Sequence, residues 1–296
     1  MKHPIIVGTD MTVASDDALL RAEALATRDS VELTVAHAVS PLLLAVGEHA
    51  EHFARLREQV EQRTTAITGR PRNAYHVVIE RGLPHAVLAR LAAANDALLV
   101  VGAHRHHGLG HALLKDVSER VVERARGPVL VTKPGGESGA VLVAVEPPFE
   151  FSESLDAAIQ EARATGSDLA VLRCVDTGLL HTRAADLING GAYARRPLGL
   201  KAVIPEARHA LQAEFTRRRI RAEIWLFEGA VHSLISDVAR RTRPRLIVIG
   251  SGHGKRSLEA TNAVLRHAPC SVLVVDNRSA LDRYSALGAR DVDPPN

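Results

Sequence analysis

The sequence predicts an α/β protein of two tandem doubly wound domains, each with a five-stranded parallel sheet flanked by helices. Three observations carry this. Short aliphatic runs alternate with helical patterns along the whole chain, which implies parallel crossovers. The order of those elements occurs twice. Aromatic residues make up only 3% of a 296-residue chain that is 46% hydrophobic, as suits buried strands of Val, Ile and Leu. The length itself is about twice that of a usual domain.

Element by element, the opening strand Ile5-Ile6-Val7-Gly8-Thr9-Asp10 is echoed by Val141-Leu142-Val143-Ala144-Val145-Glu146, each an aliphatic run ending in a carboxylate. A helical stretch from Ala18 to Ala26 follows the first. The second strands correspond as 31–39 and 168–175. Next, Ile79-Glu80-Arg81-Gly82-Leu83-Pro84-His85 parallels Leu226-Phe227-Glu228-Gly229-Ala230-Val231-His232, and in the first copy a helix over 86–94 follows it. The fourth strands are Leu98-Leu99-Val100-Val101-Gly102 and Leu246-Ile247-Val248-Ile249-Gly250. The fifth are Pro128-Val129-Leu130-Val131 and Ser271-Val272-Leu273-Val274-Val275. Equivalent positions lie 136 residues apart at the carboxylates, 147 at Gly82 and Gly229, 148 at the fourth strand and 143 at the fifth. The second copy therefore gains residues early and loses five after its fourth strand.

The expected limits are a first domain over 1–134, a linker over 135–139, a second domain over 140–276 and a tail over 277–296. Lys133-Pro134-Gly135-Gly136-Glu137-Ser138-Gly139 has turn-forming composition. Residues 177–202, interrupted by Asn189-Gly190-Gly191 and Arg195-Arg196-Pro197, are expected to be a loop or insertion.

Charge narrows the function classes. The 37 basic and 34 acidic residues give a net +3, without a dense basic block or aromatics to stack bases, so no nucleic-acid partner is expected. The clusters Arg217-Arg218-Arg219 and Arg240-Arg241 are expected on solvated helix ends. No apolar run approaches the roughly 20 residues of a spanning helix, and no leader pattern precedes Ile5. A cytoplasmic location without membrane partners is expected, with Cys174 and Cys270 as unpaired thiols, since two cysteines without redox spacing make no disulfide framework.

Together these motifs resemble the universal stress protein family, within the adenine-nucleotide α-hydrolase-like fold. The resemblance rests on strand-end Asp10 followed by Ser15 and Ala18, on the turn Glu80-Arg81-Gly82-Leu83-Pro84, and on Asp96-Ala97-Leu98-Leu99-Val100-Val101-Gly102. Val117-Ser118-Glu119-Arg120-Val121-Val122 and the closing segment from Val264 to Val275 complete it.

The resemblance implies a ligand site at the carboxyl ends of the strands, where strand order switches. Nucleotide-binding members carry Gly-x2-Gly-x9-Gly-Ser/Thr there, glycines bringing backbone N–H groups to phosphate and the hydroxyl adding a donor. The first copy keeps Asp10 and Gly102, and Ala38 is a further candidate for contact with the ligand. Arg105 and Lys115 replace the two later glycines, and Asp116 replaces the hydroxyl residue. Asp116 against a phosphate is a repulsion of about 1–4 kcal/mol, depending on screening, which Arg105 and Lys115 offset. In the second copy the strand-end carboxylate is Glu146, stiffened by Pro147-Pro148, and the loop holds Gly250, Gly252, Gly254 and Lys255. That loop suits an anion, yet Leu258-Glu259 falls where the family has Gly-Ser/Thr. A Walker loop ending at Gly254-Lys255 needs glycine at 249 and Ser/Thr at 256; Ile249 and Arg256 stand there.

His104, His106, His107 and His111 crowd the first loop; read as a polar loop rather than a metal site, they leave no metal expected. His85 and His232 are expected to start helices, and His37 to be a satisfied core histidine. The resemblance implies a non-enzymatic stress-response regulatory or protective protein with degenerate nucleotide or anion sites and no firm cofactor. ATP or AMP is the candidate ligand, favoured in the second domain. The alternatives are an ATP- or AMP-binding protein with weak ATPase activity and an interaction module with vestigial sites. The exposed closing strands imply a pseudo-dimer between the two domains, and a homodimer of chains is compatible with it.

Overall fold

The computed structural model describes residues 3–40, 49–103, 116–134, 138–145, 153–175, 200–228, 231–251 and 255–276. They fall into two compact units, one of residues 1–135 with 270–274, the other of 136–269 with 275–296. The expected loop at 177–202 lies outside the described residues up to 199, and a helix begins at Leu200. The tail from 277 also lies outside them.

The first unit runs β1 (Ile5–Gly8), α1 (Val13–Asp29), β2 (Leu33–Val39), α2 (His49–Thr68), β3 (His76–Arg81), α3 (Pro84–Ala94), β4 (Leu98–Gly102), α4 (Val117–Arg124) and β5 (Val129–Thr132). Its parallel order is β3-β2-β1-β4-β5. Within the same unit, Val272, Leu273 and Val274 pair antiparallel with Val131, Leu130 and Val129. The helices pack as two pairs, α1 with α2 and α3 with α4, the two-faced cover that buried parallel strands require. Val7, Val35, Leu99 and Val100 are fully enclosed. Each such side chain contributes about 1.5–3 kcal/mol of burial.

Local chemistry sets the elements. α1 buries Ser15, Ala18, Leu19, Ala22, Leu25 and Ala26, the i, i+3, i+4, i+7 stripe of a one-faced helix. It stops at Ser30, whose left-handed φ of 54° lets Val31 donate its N–H to the Ala26 carbonyl at 3.1 Å. That bond explains why β2 begins at Leu33 rather than at Val31. Asp96 turns the chain in the same way between α3 and β4, with φ 47° and Ala97 N–H on the Ala92 carbonyl.

The second unit repeats the plan with β6 (Val141–Ala144), α5 (Glu153–Thr165), β7 (Leu169–Val175), α6 (Leu200–Arg218), β8 (Glu223–Glu228), α7 (Val231–Thr242), β9 (Leu246–Ser251) and α8 (Lys255–His267). β6 pairs with β7 and β9, and β7 with β8, all parallel. The closing strand β10 spans Ser271–Asp276. Cys270 ahead of it is a buried thiol; the side chain of Cys174 lies outside the described residues. Among the described residues no helix is long and apolar enough to cross a membrane.

One expectation about the arginine clusters needs correction. Arg240 and Arg241 are exposed, but Arg218 is only 17% exposed and bridges Glu214 on its own helix to Asp156 on α5. Arg217 donates to the same Glu214 carboxylate, at 2.9 Å from its Nε. Burial pushes the Glu214 carboxyl up, and the hydrogen bonds from Arg217 and Arg218 overcome this and hold it below the usual range. Periodicity could not reveal the pairing, because Asp156 and Arg218 come from separate helices.

His85 does sit in the first turn of α3, as expected, but it is also 5% exposed. Burial first, then the charges of Arg124 and Arg120 on α4, hold its imidazole below the ordinary value of 6.5. The unfolded chain therefore binds a proton that the fold refuses, so this contribution is intact above pH 6.5 and lost as pH falls beneath it. We expect chemical denaturation of the parent to show that loss and His85→Leu to flatten it. Arg218→Met leaves Glu214 with Arg217 alone; we expect a loss of about 2–3 kcal/mol, read from urea midpoints.

Candidate functional site

In the first unit, strand order reverses between β1 and β4, and the chain leaving β1 builds a compact polar turn. The Asp10 carboxylate accepts the Thr12 N–H at 3.0 Å and the Thr12 hydroxyl at 2.6 Å. Thr9 Oγ1 accepts the Met11 N–H at 3.0 Å and lies 3.2 Å from Ser15 Oγ. Ser15 Oγ accepts the Thr12 N–H at 3.1 Å and donates to the Thr12 carbonyl at 2.9 Å. This reciprocity caps α1. It also forces Met11 to φ 63°, a conformation costly for a side chain of that size.

His37, on β2, closes the turn from the other side. Its Nδ1 lies 2.8 Å from the Thr9 carbonyl, and a carbonyl only accepts, so Nδ1 carries the proton. The expected satisfied histidine is found, half-buried rather than in the core. Ala38 is next on β2, half-buried and in register with Glu80 of β3.

Gly102 ends β4 for a reason other than phosphate binding. A Cβ there would stand 2.3 Å from the Ala14 carbonyl oxygen and 2.8 Å from its carbon. The first turn of α1 thus rests directly on the end of β4. Asp116 precedes α4 in extended conformation at φ −61° and ψ 155°, and Ser118 donates to it at 3.2 Å. Its carboxylate therefore stands at a helix amino terminus, where the helix dipole favours negative charge.

An open cavity of about 620 Å³ lies beside the turn, lined by Met11 and, from α2, by Gln59, Gln62, Arg63, Ala66 and Ile67. Arg63 grips Asp16 of α1 with both arms, at 2.7 Å and 2.6 Å. That hydrogen bond raises the guanidinium pKa further; burial opposes it, and the charges of Asp16 and Asp10 add to it. Sequence reading missed Met11, Asp16 and Arg63. They are 47 residues apart at the ion pair, and no motif links them.

Asp10, Ala38 and Gly102 thus gather at one end of the first sheet. Gly250 occupies the corresponding place in β9, with Ser251 Oγ donating to the Val275 carbonyl at 3.3 Å. Lys255 opens α8, its side chain outside the described residues. Arg105, Lys115, Glu146, Gly252, Gly254 and the histidines from 104 to 111 also lie outside them.

The Universal stress protein family model matches residues 1–133 and again 139–276, and the chain belongs to that family. Among solved structures it resembles a universal stress protein from Archaeoglobus fulgidus, 16% identical, with TM-score 0.64 over 93% of this chain and 97% of that one. A functionally unknown protein from Pseudomonas aeruginosa superposes with TM-score 0.63 at 15% identity, covering 98% of each chain. A universal stress protein solved in complex with cAMP is 24% identical over 45% of this chain and 98% of its own, with TM-score 0.38. No curated protein matches the sequence.

Gly102→Ala is expected to fold with a loss of about 1–3 kcal/mol, because the methyl group meets backbone rather than a yielding side chain. Thermal unfolding of the two proteins checks this. An unchanged midpoint would mean that α1 does not rest on β4 as described.

Proposed function

We infer that the chain is a non-enzymatic regulatory or protective protein of the stress response, cytoplasmic, with two degenerate anion sites. The proposed domains are residues 1–134 and 140–276, joined by 135–139 and followed by a tail. The observation that carries the reading is Asp116. It brings a carboxylate to the start of α4, the position at which nucleotide-binding relatives place a hydroxyl that donates a hydrogen bond to phosphate. The helix end is then already matched by a negative charge, and a second one must come in against it. Asp10 and Gly102 are in turn engaged by Thr12 and Ala14.

On this reading Asp10, Ala38, Gly102, Arg105 and Lys115 frame the first site, and Glu146, Gly250, Gly252, Gly254 and Lys255 frame the second. The second is the better host for ATP or AMP, because glycines leave backbone amides open to phosphate oxygens. The engaged hydroxyl of Ser15 supports the non-enzymatic assignment. Pairing of the two domains as a pseudo-dimer, and of two chains as a homodimer, belongs to the same proposal.

Calorimetric titration with ATP tests it. The parent is expected to bind weakly, with Gly252→Val removing what binding there is. Asp116→Ser is expected to gain at least about 1 kcal/mol, some fivefold or more, in the first site. Micromolar binding by the parent that survives Gly252→Val would overturn the reading.

A further inference from the structure

A second cavity, of about 320 Å³, opens at the other end of the second unit's strands, where β7 and β8 begin. Three arginines line it: Arg163 in the last turn of α5, Arg219 just past α6, and Arg221 just ahead of β8. Among the described residues none of the three side chains has an ion pair or hydrogen bond. Asp168 is the single acidic residue of the lining. Ile159, Leu169 and Ile220 supply apolar surface.

Helix-end electrostatics account for part of this arrangement. Arg163 and Arg219 stand at helix carboxyl ends, each carrying roughly half a negative charge. Those ends are already capped: Ala162 and Phe215 carbonyls accept from Ser167 and Ile220 at 2.9 Å. Arg221 belongs to no helix. Even with both helix ends and Asp168 counted, the cavity remains positive. A fourth guanidinium adds to it, since Arg245 donates to the lining Ser167 hydroxyl at 3.1 Å while its buried Nε has no hydrogen-bond partner. Arg219 adopts φ 53°, the position where glycine is the ordinary residue.

The geometry points to a ligand site here for a small organic phosphate monoester, its head held by the guanidinium forks and its apolar body against Ile159 and Ile220. Guanidinium pairs with phosphate through two parallel N–H donors, which favours it over a simple point charge. The volume is at the lower end of small-molecule sites, about 300–1,000 Å³. The site is separate from the strand-order switch and does not depend on whether nucleotide binds there.

The test is calorimetry on the full chain with phenyl phosphate, inorganic phosphate and benzoate. Phenyl phosphate is expected to bind at one site, about tenfold tighter than inorganic phosphate, with affinity falling as salt rises. Arg221→Gln and Arg219→Gly are each expected to weaken it about tenfold. Arg219→Gly should keep a thermal midpoint at or above the parent's, since glycine suits the left-handed turn, so its loss of binding is not a loss of fold. Gly252→Val should leave phenyl phosphate binding unchanged. Absence of binding at millimolar concentration, affinity indifferent to both arginine variants, preference for benzoate, or loss of binding in Gly252→Val would each overturn the assignment.

Discussion

The close seating of α1 on the end of β4 holds the first switch point together. Gly102 lets the Ala14 carbonyl approach to a distance that any side chain would block. With α1 fixed there, Thr12 and Ser15 cap its first turn against each other, and Thr9 and Asp10 are drawn into the same network. The turn then has little freedom, and Met11 accepts an unfavourable backbone angle as a result. Such local strain persists only where the surroundings over-determine it. Here they do so through six hydrogen bonds among five residues, Thr9, Asp10, Met11, Thr12 and Ser15, and through the half-buried His37.

This changes how the surviving family residues are understood. Asp10 and Gly102 remain in sequence, yet both have structural work independent of a ligand: Asp10 organises the turn and Gly102 admits the helix. Their presence alone is then weak evidence for nucleotide binding. Asp116 is more informative, because a carboxylate at a helix start meets the helix dipole itself and repels a second negative charge there.

The fold was largely legible in the sequence, for identifiable reasons. Fully buried parallel strands are continuous aliphatic runs, so Leu98 to Val101 and Leu246 to Ile249 announce themselves twice. Carboxylate and glycine positions at strand ends could be counted along the chain. What escaped was everything made by side chains from distant helices: the Arg63 grip on Asp16, the Arg218 bridge from Glu214 to Asp156, and the arginine-lined cavity at the start of β7 and β8. Charged residues on helices read as solvated faces, because periodicity records orientation and not partners. His85 was placed correctly in its helix, but its enclosure by α4 had no local signal.

The two copies differ in sequence at their strand-end motifs: the first has Asp10 and a charged stretch after its fourth strand, the second Glu146 and a glycine-rich one. Identical subunits in a cyclic dimer must carry identical sites, because symmetry copies every substitution into both. Covalent duplication removes that obligation. One half can change its strand-end residues while the other keeps its own, always at one-to-one stoichiometry and without any need to recognise the correct partner among close relatives.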